Sequence, residues 1–216
     1  MTPPSSRRLD RLPAPGPLER ITRALATLDA ALCEEWQYRF FSFQRSWDPG
    51  REERMASLRD GSGSDWFLVF SPAGAFLKGF ALHSPMARAA DAASFTRDLP
   101  EAFAHSAREP AFSMERTTFL FWSTGGPWQR SAVAMPEGPD PDGSEELLWL
   151  LAGRPEDYAR FAEEYFEVSV PLDAVRDVYA HRPMTDALLG RLGAQRDLAA
   201  MREDLDEIGY PVAPSR

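Results

Sequence analysis

Four strand-like segments, three of which contain several aromatic residues, follow one another early in the chain, and only short turns separate them. The connections contain Asp-Pro-Gly, Asp-Gly-Ser-Gly-Ser and Ser-Pro-Ala-Gly, which are sequences that favour reverse turns. A parallel neighbour needs a crossover of about a dozen residues, so connections this short indicate antiparallel pairing. The spacing therefore predicts an antiparallel meander built from residues 38–44, 51–59, 65–71 and 75–82.

Helical periodicity dominates on both sides of this sheet region. Leu18, Ile21, Leu25 and Trp36 belong to a stripe of apolar residues at three- and four-residue steps, which predicts an amphipathic helix over 18–36. Helix start and stop signals recur after the sheet region. They predict helices over 144–151, 155–168, 172–180, 185–192 and 197–208.

The stretch between these regions has weaker patterns. Residues 83–98 are typical of a loop, 99–108 favour a short helix, and 117–123 and 128–135 favour strands. Strands that precede a group of helices are typical of an α+β fold. We therefore predict an antiparallel meander sheet with an N-terminal helix and a C-terminal group of helices packed on one side of it.

Length and composition predict one domain behind a mobile tail. Residues 1–17 contain five prolines and few apolar side chains, which favours a disordered tail. The remaining residues, 18–216, are enough for a single α+β domain with a sizeable core. Within it, 38–135 is predicted to be rich in sheet and 144–209 to be helical.

Charge and hydropathy narrow the classes of partner. The chain carries 33 acidic and 24 basic residues, for a net charge of −9. A negative surface repels phosphate backbones, so we predict no nucleic-acid partner. The longest apolar runs are far shorter than the ~20 residues of a membrane-spanning helix, so we predict no membrane partner. A single cysteine and the lack of a secretory apolar run indicate a cytoplasmic location.

Acidic residues are concentrated in the helical second half. Residues 140–167 contain nine acids and two arginines, which gives this stretch a charge of −7. A solvated helix face explains such a pattern in most proteins. The density also suits a surface that steers a basic protein partner. The predicted partner-binding residues are Glu156, Asp157, Glu163, Glu164 and Glu167.

No motif indicates a metal or a cofactor. The three histidines, His83, His105 and His181, are far apart and have no cysteine or acid at metal-ligand spacing. Two loops rich in Asp and Gly lack the twelve-residue spacing of a calcium-binding EF-hand. Such residues commonly form turns and helix caps. We therefore predict neither a metal site nor a cofactor.

An enzyme with an unfamiliar acid–base site is the alternative. Arg59, Asp60, Asp65, Lys78 and His83 all lie near strand ends or turns, where catalytic groups often occur. Lys78 is the only lysine and stands between two phenylalanines on one predicted strand face. If the Lys78 ammonium is buried there, it can act as a base or bind a carboxylate. Alternatively, the aliphatic part of Lys78 covers the two phenylalanine rings and its ammonium reaches water.

Several short sequences carry a resemblance to known proteins. They span 55–63, 65–67, 78–80, 109–112 and 207–211. They resemble a family of uncharacterised bacterial proteins of similar length, over most of the chain from about residue 20 onward. The resemblance implies a bacterial source and one integral unit, and it brings no activity, cofactor or site residue. The proline-rich start departs from the family pattern.

The leading functional hypothesis is a non-catalytic protein-binding protein. An acidic chain with no recognisable catalytic set suits a toxin-neutralising or regulatory role in a bacterium. Exposed aromatic side chains would supply the affinity, and the acids would supply speed and selectivity.

Overall fold

The fold is a six-stranded antiparallel sheet with helices at both ends of the chain. The structure is a computed structural model that describes residues 2–89 and 91–214. The strands lie in the sheet in chain order, which confirms the predicted meander. They are β1 (Phe41–Asp48), β2 (Glu53–Arg59), β3 (Asp65–Ser71), β4 (Gly74–Phe80), β5 (Phe119–Ser123) and β6 (Gln129–Arg130).

Eight α-helices accompany the sheet in the described ranges. They are α1 (Pro15–Leu32), α2 (Met86–Ala89), α3 (Ala92–Phe95), α4 (Ser144–Leu148), α5 (Pro155–Tyr165), α6 (Leu172–Tyr179), α7 (Asp186–Leu192) and α8 (Arg202–Ile208). The predicted α+β class is confirmed. Several boundaries differ by four residues or more. The strand β6 holds two residues of the predicted 128–135 strand, and β1 continues four residues beyond the predicted end at 44. The helix α1 ends four residues before Trp36, and α8 begins five residues after the predicted start at 197.

One face of the sheet packs against α1 and the C-terminal helices. Side chains alternate along each strand, so Phe41 and Phe43 of β1 point to the same face. Trp66 and Leu68 of β3 join them in the main core, and the Trp66 indole donates to the Leu147 carbonyl oxygen at 3.1 Å. The helices on this face form the layer that the sequence predicts on one side of the sheet.

The opposite face is covered by a segment that the sequence patterns treat as a loop and a short helix. Phe95, Phe103 and Phe112 pack on Phe67 and Phe76 of the sheet. Each of the three phenylalanines belongs to a different short turn of helix. Their spacing of eight or nine residues matches no regular period, which is why the covering role is invisible in the sequence. The sheet therefore has a cover on both faces.

The N-terminal segment also differs from the expected disordered tail. Leu12 is buried, and the Ser6 N–H donates to Ser144 Oγ at 2.9 Å. The Trp128 indole donates to the Pro13 carbonyl oxygen at 2.8 Å, and Arg8 pairs with Glu145. Composition predicts how a segment behaves on its own, whereas here the contacts with later residues hold the segment in place. Prolines also lower the entropy lost when such a segment becomes ordered.

A buried carboxylate joins α1, β1 and α5. Asp29 is fully buried, and its Oδ2 accepts the N–H groups of Phe40 and Phe41 at 2.8 and 2.7 Å. Its Oδ1 accepts the hydroxyl of Tyr158 at 2.8 Å. Burial raises the pKa of Asp29 to about 7, and the three hydrogen bonds oppose that rise without cancelling it. The chain thus enters the sheet at a point fixed by one side chain.

We predict that Asp29→Asn makes the stability of the protein less dependent on pH. The folded pKa lies above the unfolded value of 3.8. As the pH rises from about 4 to about 7, the unfolded chain releases the Asp29 proton and the folded chain retains it, so the wild type loses stability. The expected loss relative to Asp29→Asn is on the order of 4 kcal/mol.

Urea unfolding of both proteins across this pH range measures the difference. Asp29→Ala serves as the comparison, because it leaves two N–H groups and a hydroxyl without an acceptor and costs about 3–5 kcal/mol. A free-energy difference between wild type and Asp29→Asn that stays constant with pH would contradict the assignment.

Candidate protein-binding surface

Two of the five predicted partner-binding acids are neutralised within the chain. Asp157 is buried, and its oxygens lie 2.5 Å from Arg154 Nη2 and 2.8 Å from Arg160 Nη2. Glu156 lies 2.6 Å from Arg176 Nη2, and that hydrogen bond lowers the pKa of Glu156. Their charge is already satisfied, so Glu156 and Asp157 do not form the uncompensated surface that the sequence predicts.

The preceding acids of the same stretch are also engaged in local contacts. Asp140 accepts the N–H groups of Glu145 and Glu146 at 3.2 and 3.0 Å, and Asp142 accepts the Ser144 hydroxyl at 2.7 Å. These two carboxylates accept main-chain N–H groups in the first turn of α4, where the helix supplies no acceptor of its own. Much of the acidic stretch is therefore structural.

The other three predicted acids are exposed at the end of α5. Glu163, Glu164 and Glu167 have no ion pair among the residues that the structure describes. Glu167 has a φ of 57°, in the left-handed region, where the chain leaves the helix. These three side chains retain the charge that a basic partner would meet.

Three large aromatic side chains are exposed, one at this helix end and two in the turn that follows α1. Trp36, Tyr38 and Tyr165 are 49%, 58% and 39% exposed. The Tyr165 hydroxyl donates to the Tyr38 carbonyl oxygen at 3.4 Å, and its ring packs edge-on against Phe40 with centroids 5.2 Å apart. Partial burial, followed by the charge of Asp29, raises the pKa of Tyr165, so its hydroxyl stays protonated and can donate.

Segments 34–38 and 163–167 together form what we call the acidic aromatic surface. Their sequences are Glu-Glu-Trp-Gln-Tyr and Glu-Glu-Tyr-Phe-Glu, which contain five acids and no base. The two segments therefore carry a formal charge of −5. Arg59 lies at the margin, with its guanidinium carbon 4.8 Å from the centroid of the Trp36 ring. The hydrogen bond from Tyr165 to Tyr38 joins the two segments.

A buried arginine holds the first segment in place. Arg39 Nε and Nη2 donate to the carbonyl oxygens of Cys33 and Glu34 at 2.8 and 2.9 Å. Its Nη1 donates to Asp204 Oδ1 at 2.6 Å, which ties the segment to α8. The turn that presents Trp36 is thus fixed before any partner arrives. The exposure of Trp36 could not be predicted from the sequence, because this residue continues the apolar stripe of α1.

The residues of the enzyme alternative do not converge on one site. Asp60 accepts the N–H groups of residues 62–64 at 2.8–3.0 Å and closes its own turn. Arg59 lies over Trp36, and His83 is exposed. Of these five residues, only Asp65 and Lys78 contact each other, and they form an ion pair in which the lysine is buried.

Lys78 and Asp65 form a structural ion pair. The Lys78 side chain is fully buried, and its Nζ lies 2.9 Å from Asp65 Oδ1 and 5.6 Å from the centroid of the Phe67 ring. Burial lowers the pKa of Lys78, and the Asp65 carboxylate opposes that shift. The ammonium therefore neither reaches water nor stands where a substrate can touch it.

A pair that the sequence did not indicate connects Glu53 of β2 with His105. His105 Nε2 contacts the buried Glu53 carboxylate, and Ser106 Oγ lies 3.3 Å from the same nitrogen. A catalytic serine–histidine–acid triad uses the two different ring nitrogens for these contacts. The arrangement therefore anchors the turn that carries Phe103 and lacks the geometry of a proton relay.

Metal-ligand groups and membrane-spanning helices were sought in residues 2–89 and 91–214. In these ranges no three His, Cys, Asp or Glu side chains are grouped so that they could hold a metal ion. None of the helices there combines the length and the apolar character needed to cross a bilayer.

We predict that Asp65→Asn destabilises the protein more than Lys78→Met. The first change leaves a buried ammonium without its counter-charge, which costs about 3–5 kcal/mol. The second removes the charge, and the Asp65 carboxylate that remains is partly exposed to water. Chemical denaturation of both variants gives the order, and a larger loss for Lys78→Met would contradict the structural role of the pair.

Comparisons with protein-family models, with curated proteins and with solved structures find no match for this chain. The resemblance to a bacterial family stays a prediction, and the function is inferred from the surface itself.

Proposed function

We propose that this chain is a non-catalytic protein-binding protein that engages a basic protein partner through the acidic aromatic surface. The observation that carries the proposal is the exposure of Trp36, Tyr38 and Tyr165 within two segments of charge −5. A toxin-neutralising or regulatory role in the bacterial cytoplasm is the biological setting that we propose for it.

The chemistry of the surface favours arginine or lysine side chains on the partner. Aromatic rings attract cations over their faces, and Arg59 already occupies such a position on Trp36. Trp and Tyr supply much of the binding energy at protein interfaces, because they bury a large area at a small cost in side-chain entropy. The surrounding carboxylates raise the rate of encounter with a basic surface.

The support beneath the surface favours recognition without a large rearrangement. The four hydrogen bonds of Arg39 fix segment 34–38, and the contact with Phe40 orients Tyr165. A partner then binds side chains that are already ordered, which reduces the entropy cost of association.

We predict that removing the anchors weakens partner binding strongly without unfolding the chain. Trp36→Ala combined with Tyr38→Ala should reduce affinity by about 10- to 100-fold, because each side chain is an exposed anchor. The triple variant Glu34→Gln, Glu35→Gln, Glu164→Gln should slow association and reduce its dependence on salt. Native lysate of the source organism supplies the partner.

A photo-crosslinking amino acid at Tyr38 makes this test specific to the surface. We expect one discrete protein adduct that weakens at roughly 0.5 M salt and disappears in the triple glutamine variant. The control variant Glu101→Gln with Glu137→Gln alters exposed acids elsewhere and should retain the adduct. No adduct, or an adduct that is insensitive to both salt and the triple variant, would count against the proposal.

A further inference from the structure

The exposed ring of Trp36 is in contact with a cation that the chain itself supplies. Arg59 is the last residue of β2, and its N–H donates to the Phe40 carbonyl oxygen at 2.9 Å. This main-chain bond places Arg59 beside segment 34–38. Its guanidinium carbon lies 4.8 Å from the centroid of the Trp36 ring, within the ~6 Å over which an aromatic ring attracts a cation. The free protein therefore already holds a guanidinium group on this ring.

The Arg59 guanidinium is held weakly. In residues 2–89 and 91–214, no ion pair and no side-chain hydrogen bond joins it to another residue, and the side chain is exposed. By contrast, the Arg39 guanidinium makes four hydrogen bonds. A cation–π contact at an exposed site changes an equilibrium by only about two- to fivefold. Arg59 can therefore leave the ring at a small cost.

The carboxylates nearest to Trp36 in the chain are not neutralised by Arg59. Glu34 and Glu35 belong to the same segment as Trp36, and neither forms an ion pair in the part of the chain that the structure describes. Arg59 is tethered to the end of β2, where it contacts the ring but pairs with neither carboxylate. An arginine from a partner has no such tether, so it can stack on the ring and pair with a carboxylate at once. Exchange of Arg59 for that arginine therefore gains an ion pair.

The flat ring favours a guanidinium over an ammonium group. A guanidinium is planar and stacks on an aromatic face, and it is more weakly hydrated than the ammonium of lysine, so it gives up its water more readily. Two guanidinium groups on the same side of the ring would repel each other. A partner's arginine therefore takes the place of Arg59 on Trp36 and does not join it there.

We propose that the Trp36 ring is a binding site for a guanidinium group, which Arg59 fills in the free protein and an arginine of the partner fills in the complex. The inference rests on the function proposed above, and it adds the chemical class of the group that the acidic aromatic surface recognises. Arg59 is then an internal competitor, because it must leave the ring before the partner's arginine can bind.

A hexa-arginine peptide with blocked ends is the probe, and the indole N–H signal of Trp36 in the isotope-labelled full-length chain is the readout. The signal is identified by its loss in Trp36→Phe. We expect hexa-arginine to shift this signal, and to bind Arg59→Gln at least about twofold more tightly than the wild type. Arg59→Lys retains the charge but stacks less well on the ring, so it should also bind the peptide more tightly than the wild type.

Two controls separate the ring site from net charge. Arg108→Gln removes the same charge at an exposed position in the segment that covers the opposite face of the sheet, and it should bind hexa-arginine like the wild type. A hexa-lysine peptide should bind the wild type more weakly than hexa-arginine does, and should gain less from Arg59→Gln.

Four outcomes would overturn the inference. They are an unmoved Trp36 signal, equal affinity of the wild type and Arg59→Lys, equal affinity for hexa-arginine and hexa-lysine, and an effect of Arg108→Gln as large as that of Arg59→Gln. The adduct formed at Tyr38 in native lysate decides the proposed function separately. An adduct that persists when the Trp36 signal does not move would support the protein partner and remove this site.

Discussion

The hydrogen bonds of the Asp29 carboxylate fix the point at which the first helix meets the sheet. The N–H groups of Phe40 and Phe41, at the start of the first strand, and one hydroxyl of α5 converge on this buried side chain. Without the Asp29 carboxylate, the two N–H groups would have no hydrogen-bond acceptor, which is costly for buried main-chain groups. Because the contact sets the entry of β1 and the position of α5 together, it also sets the distance between the two segments of the acidic aromatic surface.

Arginine–carboxylate pairing decides where negative charge remains available. Arg154, Arg160 and Arg176 satisfy Asp157 and Glu156, and Arg39 satisfies Asp204 beneath the surface turn. The exposed acids of segments 34–38 and 163–167 have no such partners in the part of the chain that the structure describes. Local neutralisation therefore leaves the five acids of these segments uncompensated on an area that also exposes aromatic rings. Charge density along the sequence does not report this, since the arginines come from neighbouring turns and helices.

The sequence predicts the sheet well because its information is local. Short turns impose antiparallel neighbours, and the continuous apolar run 66–70 identifies β3 as a buried strand. The same reasoning fails where a residue is defined by a distant contact. Trp36 matches the stripe of α1 but lies beyond the helix end, and the 95–112 segment covers the sheet through phenylalanines that follow no period. Of the five predicted site residues, Glu163, Glu164 and Glu167 stay candidates, whereas Glu34, Glu35 and the aromatic residues were found only from the structure.

If a partner covers the acidic aromatic surface, hydrogen exchange of the bound and the free protein will show which amides it protects. With the crosslinked partner purified and added back, we expect slower amide exchange in residues 33–41 and 160–168. Residues 101–112, which cover the opposite face of the sheet, should exchange at the same rate in both states. Protection confined to other parts of the chain, with unchanged exchange in the two surface segments, would show that the partner does not bind the acidic aromatic surface.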